Sequence, residues 1–108
     1  MLLKDYPVVL PDYILTLEEL SPENCLFFDI ETTGLSWKTS HLYLLGAVFY
    51  ENETWIHRQW FCQKPGEEKE VLLAFSELLS TRKLLFHYNG TTFDVPYLMH
   101  KYTFYQLP

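Results

Sequence analysis

The stretch LFFDIETTGL, residues 26–35, constrains this chain more than any other. Its apolar residues ask for burial as a β-strand, yet Asp29 and Glu31 interrupt the run one residue apart. An ionised carboxylate taken out of water without a partner is costly. No Lys or Arg occurs between Lys4 and Lys38 to neutralise the two. Strand alternation resolves half of the conflict. Phe27, Asp29 and Glu31 share one face, while Leu26, Phe28 and Ile30 share the other and can be core. The two acids then stand roughly 6–7 Å apart at their Cα atoms. Carboxylates so spaced can reach one pair of divalent ions roughly 3.5–4 Å apart. Mg²⁺ and Mn²⁺ are hard cations that take such oxygen ligands.

The rest of the chain reads as mixed α/β. Residues 1–24 hold three prolines and no clear period, which predicts a loosely structured arm with a short helical turn near 15–20. Cys25–Thr32 is the first strand, and Gly34 breaks the chain after it. LYLLGAVFY, 42–50, is apolar on both faces, as a central strand is. ENET, 51–54, turns a hairpin into a more polar third strand, 54–62, placed at or near an edge. Pro65, Glu67, Glu68 and Glu70 suit a helix start, where acids meet the positive end of the dipole. Val71, Leu72, Phe75, Leu78 and Leu79 then form one apolar helical face. KLLFHY, 83–88, is a fourth strand, made parallel to the first by the helical crossover. Thr92 can cap a second helix over 93–105, with Pro96 harmless in its first turn. Asp94 falls in that first turn, and a fourth strand beside the first would bring it near Asp29 and Glu31. Taken alone, Asp94 is also an ordinary helix-start acid.

Bulk properties narrow the function classes. One small domain suits 108 residues, and 48% apolar content is enough for a core. The net charge is −6 and the basic residues are scattered, which argues against a protein that grips nucleic acid by phosphate neutralisation alone. It does not argue against a nuclease neutralised by bound metal. Cys25 and Cys62 form no C-x-x-C pair and read as buried thiols in a reducing compartment. The longest apolar run is too short for a bilayer, and prolines and acids break the N-terminal stretch, so a soluble cytoplasmic domain is expected. Dinucleotide-binding, P-loop and nucleophile-elbow motifs are missing. His41, His57, His87 and His100 lack zinc-ligand spacing, with His87 nearest the acids. Trp37, Trp55 and Trp60 read as packing residues, Trp37 being the best exception as a base-stacking group.

FFDIETTGL resembles the first motif of the DEDD 3′–5′ exonucleases of the ribonuclease H-like superfamily, and HYNGTTFDVPYL, 87–98, resembles their second. The branch most similar is the bacterial YprB-type exonuclease-like domain. The resemblance implies a ribonuclease H-like domain over 25–108: three antiparallel strands, then helix, parallel strand and helix. It implies a two-metal phosphodiesterase acting on the 3′ end of single-stranded DNA or RNA. Asp29 would bridge both ions of Mg²⁺ or Mn²⁺, Glu31 would hold the ion nearer the nucleophile, and Asp94 would assist directly or through water. Thr32, Thr33, Gly34 and Leu35 would line the slot for the terminal nucleotide, and Asn89 would contact the strand. The family's third motif, an Asp with a nearby His or Tyr, has no counterpart after Asp94. The expectation is therefore a domain lacking its last strand and helix, with a weak second ion and impaired activity. The alternatives are an inactive binding module and a fragment of a longer exonuclease. An uncovered fourth strand would also favour self-association.

Overall fold

Alternation along residues 26–31 sets the architecture. Leu26, Phe28 and Ile30 are buried, Asp29 and Glu31 are exposed, and Phe27 is intermediate. The computed structural model describes residues 1–8, 22–82, 84–86 and 93–107. Its elements are β1 (Leu2–Val8), β2 (Cys25–Thr32), β3 (Leu42–Glu51), β4 (Thr54–Phe61), α1 (Glu68–Leu79), β5 (Leu84–Phe86) and α2 (Asp94–Phe104). The strands form one sheet in the order β1-β4-β3-β2-β5. Every pairing is antiparallel except β2 with β5, which α1 makes parallel by crossing between β4 and β5. This is the ribonuclease H-like α/β arrangement expected from the sequence.

One expectation is corrected. Residues 1–24 are not simply a loose arm, because Leu2–Val8 pairs along the whole of β4. For the same reason β4 lies near the edge, as expected, but not at it, since β1 takes the outer place. The weak hydrophobic pattern of β1 concealed it: six of its seven residues are exposed. Its pairing is reinforced from the side chains, where Arg58 donates two hydrogen bonds to Asp5 at 2.8 and 2.9 Å. The helical turn expected at 15–20 lies outside the described residues.

Both helices lie against the Leu26–Phe28–Ile30 face. Val71, Leu72 and Phe75 of α1 and Tyr97 and Leu98 of α2 join those residues, with Leu45, Phe49 and Trp60, in one core. Phe75 tilts against Phe28 and meets Trp60 edge-on. Trp55 and Trp60 are thus packing residues, as expected. The β3–β4 hairpin closes with two residues, Asn52 and Glu53, both at positive φ (51° and 64°). That is the turn whose twist matches a hairpin, here made without glycine.

Candidate functional site

β2 carries the acidic pair because it lies inside the sheet, between β3 and β5. Its inward face anchors it in the core, so the outward face is held rigidly. Asp29 and Glu31 both line a cavity of about 340 Å³ on that outward face, with Phe27, Leu44, Gly46, Val48, His57 and Gln59. One carboxylate oxygen of Asp29 accepts a hydrogen bond from the Ile30 N–H at 3.0 Å, which fixes the group's orientation. Among the described residues, no lysine or arginine lines the cavity.

The ladder slips where the site ends. Glu31 pairs with Leu44 but Thr32 pairs with Leu42, so Tyr43 is an extra residue on β3. Such a bulge adds local twist and re-aims the strand end. Beyond it, the Thr33 N–H donates to the His41 carbonyl at 2.9 Å, and the His41 N–H donates to Thr33 Oγ1 at 2.8 Å. Thr32 Oγ1 donates to the Gly34 carbonyl at 2.7 Å. Gly34 is needed for space, since a Cβ there would meet Ser40 Cβ at 3.2 Å. Leu35 projects from this loop with 88% of its surface exposed. The four residues 32–35 are therefore brought together beside the acidic pair, with Leu35 open to any ligand.

Asp94 is placed differently. It sits in the first turn of α2, buried, on the helical face that also carries Tyr97, Leu98 and Lys101. Among the described residues, no three His, Cys, Asp or Glu side chains are close enough together to hold a metal ion. Asp29 and Glu31 still suit a hard cation by their chemistry: two oxygen donors on an open face without a competing cation. Mg²⁺ is commonly held by one or two carboxylates with waters and substrate phosphate completing its shell. Asn89, His87 and Thr92 lie outside the described residues. Trp37 is half-buried and stacks on the His100 ring at 5.2 Å, nearly parallel, so one of its faces is already covered.

The sequence reading missed a buried polar network behind the loop. Glu68, expected as a helix-start acid, is 1% exposed, and Lys101 is 5% exposed. Lys101 Nζ lies 3.1 Å from Glu68 Oε1 and donates to the Ser40 carbonyl at 3.0 Å. The Leu42 N–H donates to Glu68 Oε2 at 2.8 Å, and the Tyr105 hydroxyl donates to Glu68 Oε1 at 2.5 Å. Burial and that hydrogen bond push the Tyr105 phenol well above its ordinary range. Ser40 Oγ donates to the Ser36 carbonyl and shares a hydrogen bond of 2.8 Å with the Tyr97 hydroxyl. The loop carrying 32–35 is thus tied to both helices. Little in the sequence signals it, because Lys101 shares its helical face with the acidic Asp94 as well as with Tyr97 and Leu98.

A mixed sheet with helices on one face and paired acids on the other defines a ribonuclease H-like domain. Residues 26–108 match the family model of the RNase H superfamily, and the chain belongs to that superfamily. It is also 32% identical over 93 residues to the "Uncharacterized protein YprB" of Bacillus subtilis (strain 168), covering 84% of this chain. The chain spans 22% of the length of that relative. Superfamily membership points to nuclease-like chemistry. No helix among the described residues is long and apolar enough to cross a membrane.

Proposed function

We propose that this domain is a metal-dependent 3′–5′ exonuclease of the DEDD type, hydrolysing phosphodiester bonds at the 3′ end of single-stranded DNA or RNA. The observation that carries the reading is the pairing of Asp29 and Glu31 on the open face of an otherwise buried strand. A Mg²⁺ or Mn²⁺ ion held there would supply charge neutralisation for the phosphate and acidify a water. Asp29 and Glu31 hold the principal ion, and Asp94 assists from the start of α2. Thr32, Thr33, Gly34 and Leu35 bound the slot for the terminal nucleotide, with the exposed Leu35 against its base. Asn89 contacts the strand. Neither Cys25 nor Cys62 is in a disulfide, which suits the cytoplasm. Among the described residues β5 takes an outer place in the sheet, which supports self-association along that strand.

A second reading, an inactive module that binds nucleic-acid ends, is favoured by the lack of a three-donor metal group among the described residues. One assay separates the two. The 5′-labelled single-stranded DNA and RNA are incubated with Mn²⁺, Mg²⁺ or EDTA, with Asp29→Ala as control. A ladder shortening from the 3′ end, lost in EDTA and in the variant, is expected. No cleavage by folded protein at saturating metal would refute the enzyme.

A further inference from the structure

The acidic cavity contains a side chain that the proposed mechanism does not use. His57 belongs to β4, two strands away from β2. Across the sheet, Asp29 pairs with Gly46 and Gly46 with Gln59, while Val48 pairs with His57 one step along the same face. At position 46 a Cβ would stand 3.3 Å from His57 Nε2 and 3.9 Å from the Asp29 carbonyl oxygen. The space of one missing side chain therefore lies between the imidazole and the backbone of Asp29. The backbone at Gly46 does not itself require glycine, because its φ is not positive. Space over the strand is what the glycine provides. On the other side of the ring stands Tyr6 of β1, at 6.3 Å between centroids.

We infer that Gly46 is a notch through which His57 reaches the Asp29–Glu31 cavity, where its imidazole contacts a phosphate oxygen of a bound nucleotide. This rests on the nuclease reading. The electrostatics of the cavity support it. Among the described residues its charged lining groups are two carboxylates, so a phosphate brought there on a cation gains from a further N–H donor. Among the described residues that line it, His57 and Gln59 have side chains that carry one. Phe27, Leu44 and Val48 supply an apolar wall for the sugar or base. The volume, about 340 Å³, lies in the range of small-ligand sites. His57 is thus a binding residue contributed by β4, which in turn is braced by β1.

The test uses AMP and dAMP as probes, with Mg²⁺, on the full chain. Imidazole resonances are followed by NMR, and affinity by calorimetry. The wild type is expected to bind with a shift of the His57 signals. His57→Phe and Gly46→Ala should each weaken nucleotide binding on the order of tenfold, the scale of one hydrogen bond to a charged group. His57→Gln, which keeps an N–H donor, should restore much of the loss. Mg²⁺ affinity measured without nucleotide should be the same in all of them. Equal nucleotide affinity in folded His57→Phe and wild type would overturn the inference and leave the nuclease reading intact. No nucleotide binding to the wild type would overturn it too, while the strand-degradation assay judges the nuclease reading separately.

Discussion

Lys101 and Glu68 face each other across the two helices at 3.1 Å, with 6% and 2% of their side-chain surfaces exposed. Each also reaches the loop that returns the chain to β3, through Ser40 and Leu42. A buried pair of this kind adds little net stability, since desolvation offsets attraction. Its effect is geometric: α1, α2 and the loop beside the acidic pair are held in one arrangement.

Removing one partner should therefore cost far more than removing both. Glu68→Leu leaves a buried ammonium without its carboxylate and should lower stability by about 3–5 kcal/mol. Lys101→Met should do similar damage. The double variant should lose clearly less than the sum, which urea unfolding of all four proteins would measure. Additive losses would mean that the two residues act separately.

The β3–β4 turn should be improvable. Glu53 holds φ 64° without being glycine, a conformation that disfavours a Cβ. Glu53→Gly should raise stability by about 0.5–1 kcal/mol. The same logic applies to Gln106, at φ 58° just past α2, where its N–H donates to the Thr103 carbonyl and the Leu107 N–H donates to that of Tyr102. Thermal unfolding of Glu53→Gly and Gln106→Gly would check both.

Cys62 should be a slow nucleophile. Burial, followed by the nearby Glu68 and Glu67 carboxylates, pushes its thiol from 9.0 up to about 11. At pH 8 its thiolate fraction falls about 100-fold, and alkylation by iodoacetamide should slow by a similar factor against a free thiol. The sign for stability follows. The folded thiol keeps its proton where the unfolded one has lost it, so this contribution is whole below about pH 9. It is lost as pH rises from about 9 to about 11. Burial also raises Tyr97 and Tyr102, which extends the loss further into alkali. A melting temperature that did not fall over this range would contradict the assignment.

Asp29→Asn and Glu31→Gln should separate activity from stability. Both residues are exposed on a strand whose other face carries the core. Neutralising them removes mutual repulsion, so melting temperatures without metal should be equal or higher. Metal-dependent cleavage should fall at least about 100-fold, the scale expected when a group acting on the developing charge is lost. A drop in melting temperature would instead make the acids structural.

What could be read from the chain follows the strength of each local pattern. The faces of β2 and the helical stripe of α1 rest on periodicity, the parallel β5 rests on the helical crossover, and the structure has them as expected. β1 was illegible because a strand lying on a sheet margin needs no apolar face, and KDYP reads as a turn. Glu68 and Lys101 were illegible for another reason. Neither residue alone signals burial, and their pairing joins elements far apart in sequence. Gly46 gave no warning either, because its role depends on a neighbour that only the sheet register supplies.

The place of β1 also bears on how the molecule assembles. β2, β3 and β4 pair with sequence neighbours, and their hairpin can close early. β1 leaves the ribosome before all of them, yet its partner strand ends at Phe61. A nascent chain must therefore carry Leu2–Val8 unpaired while some fifty residues are added. Loop closure makes that contact a late event. β1 therefore precedes β2, β3 and β4 in the chain yet joins the sheet only after β4 has been made.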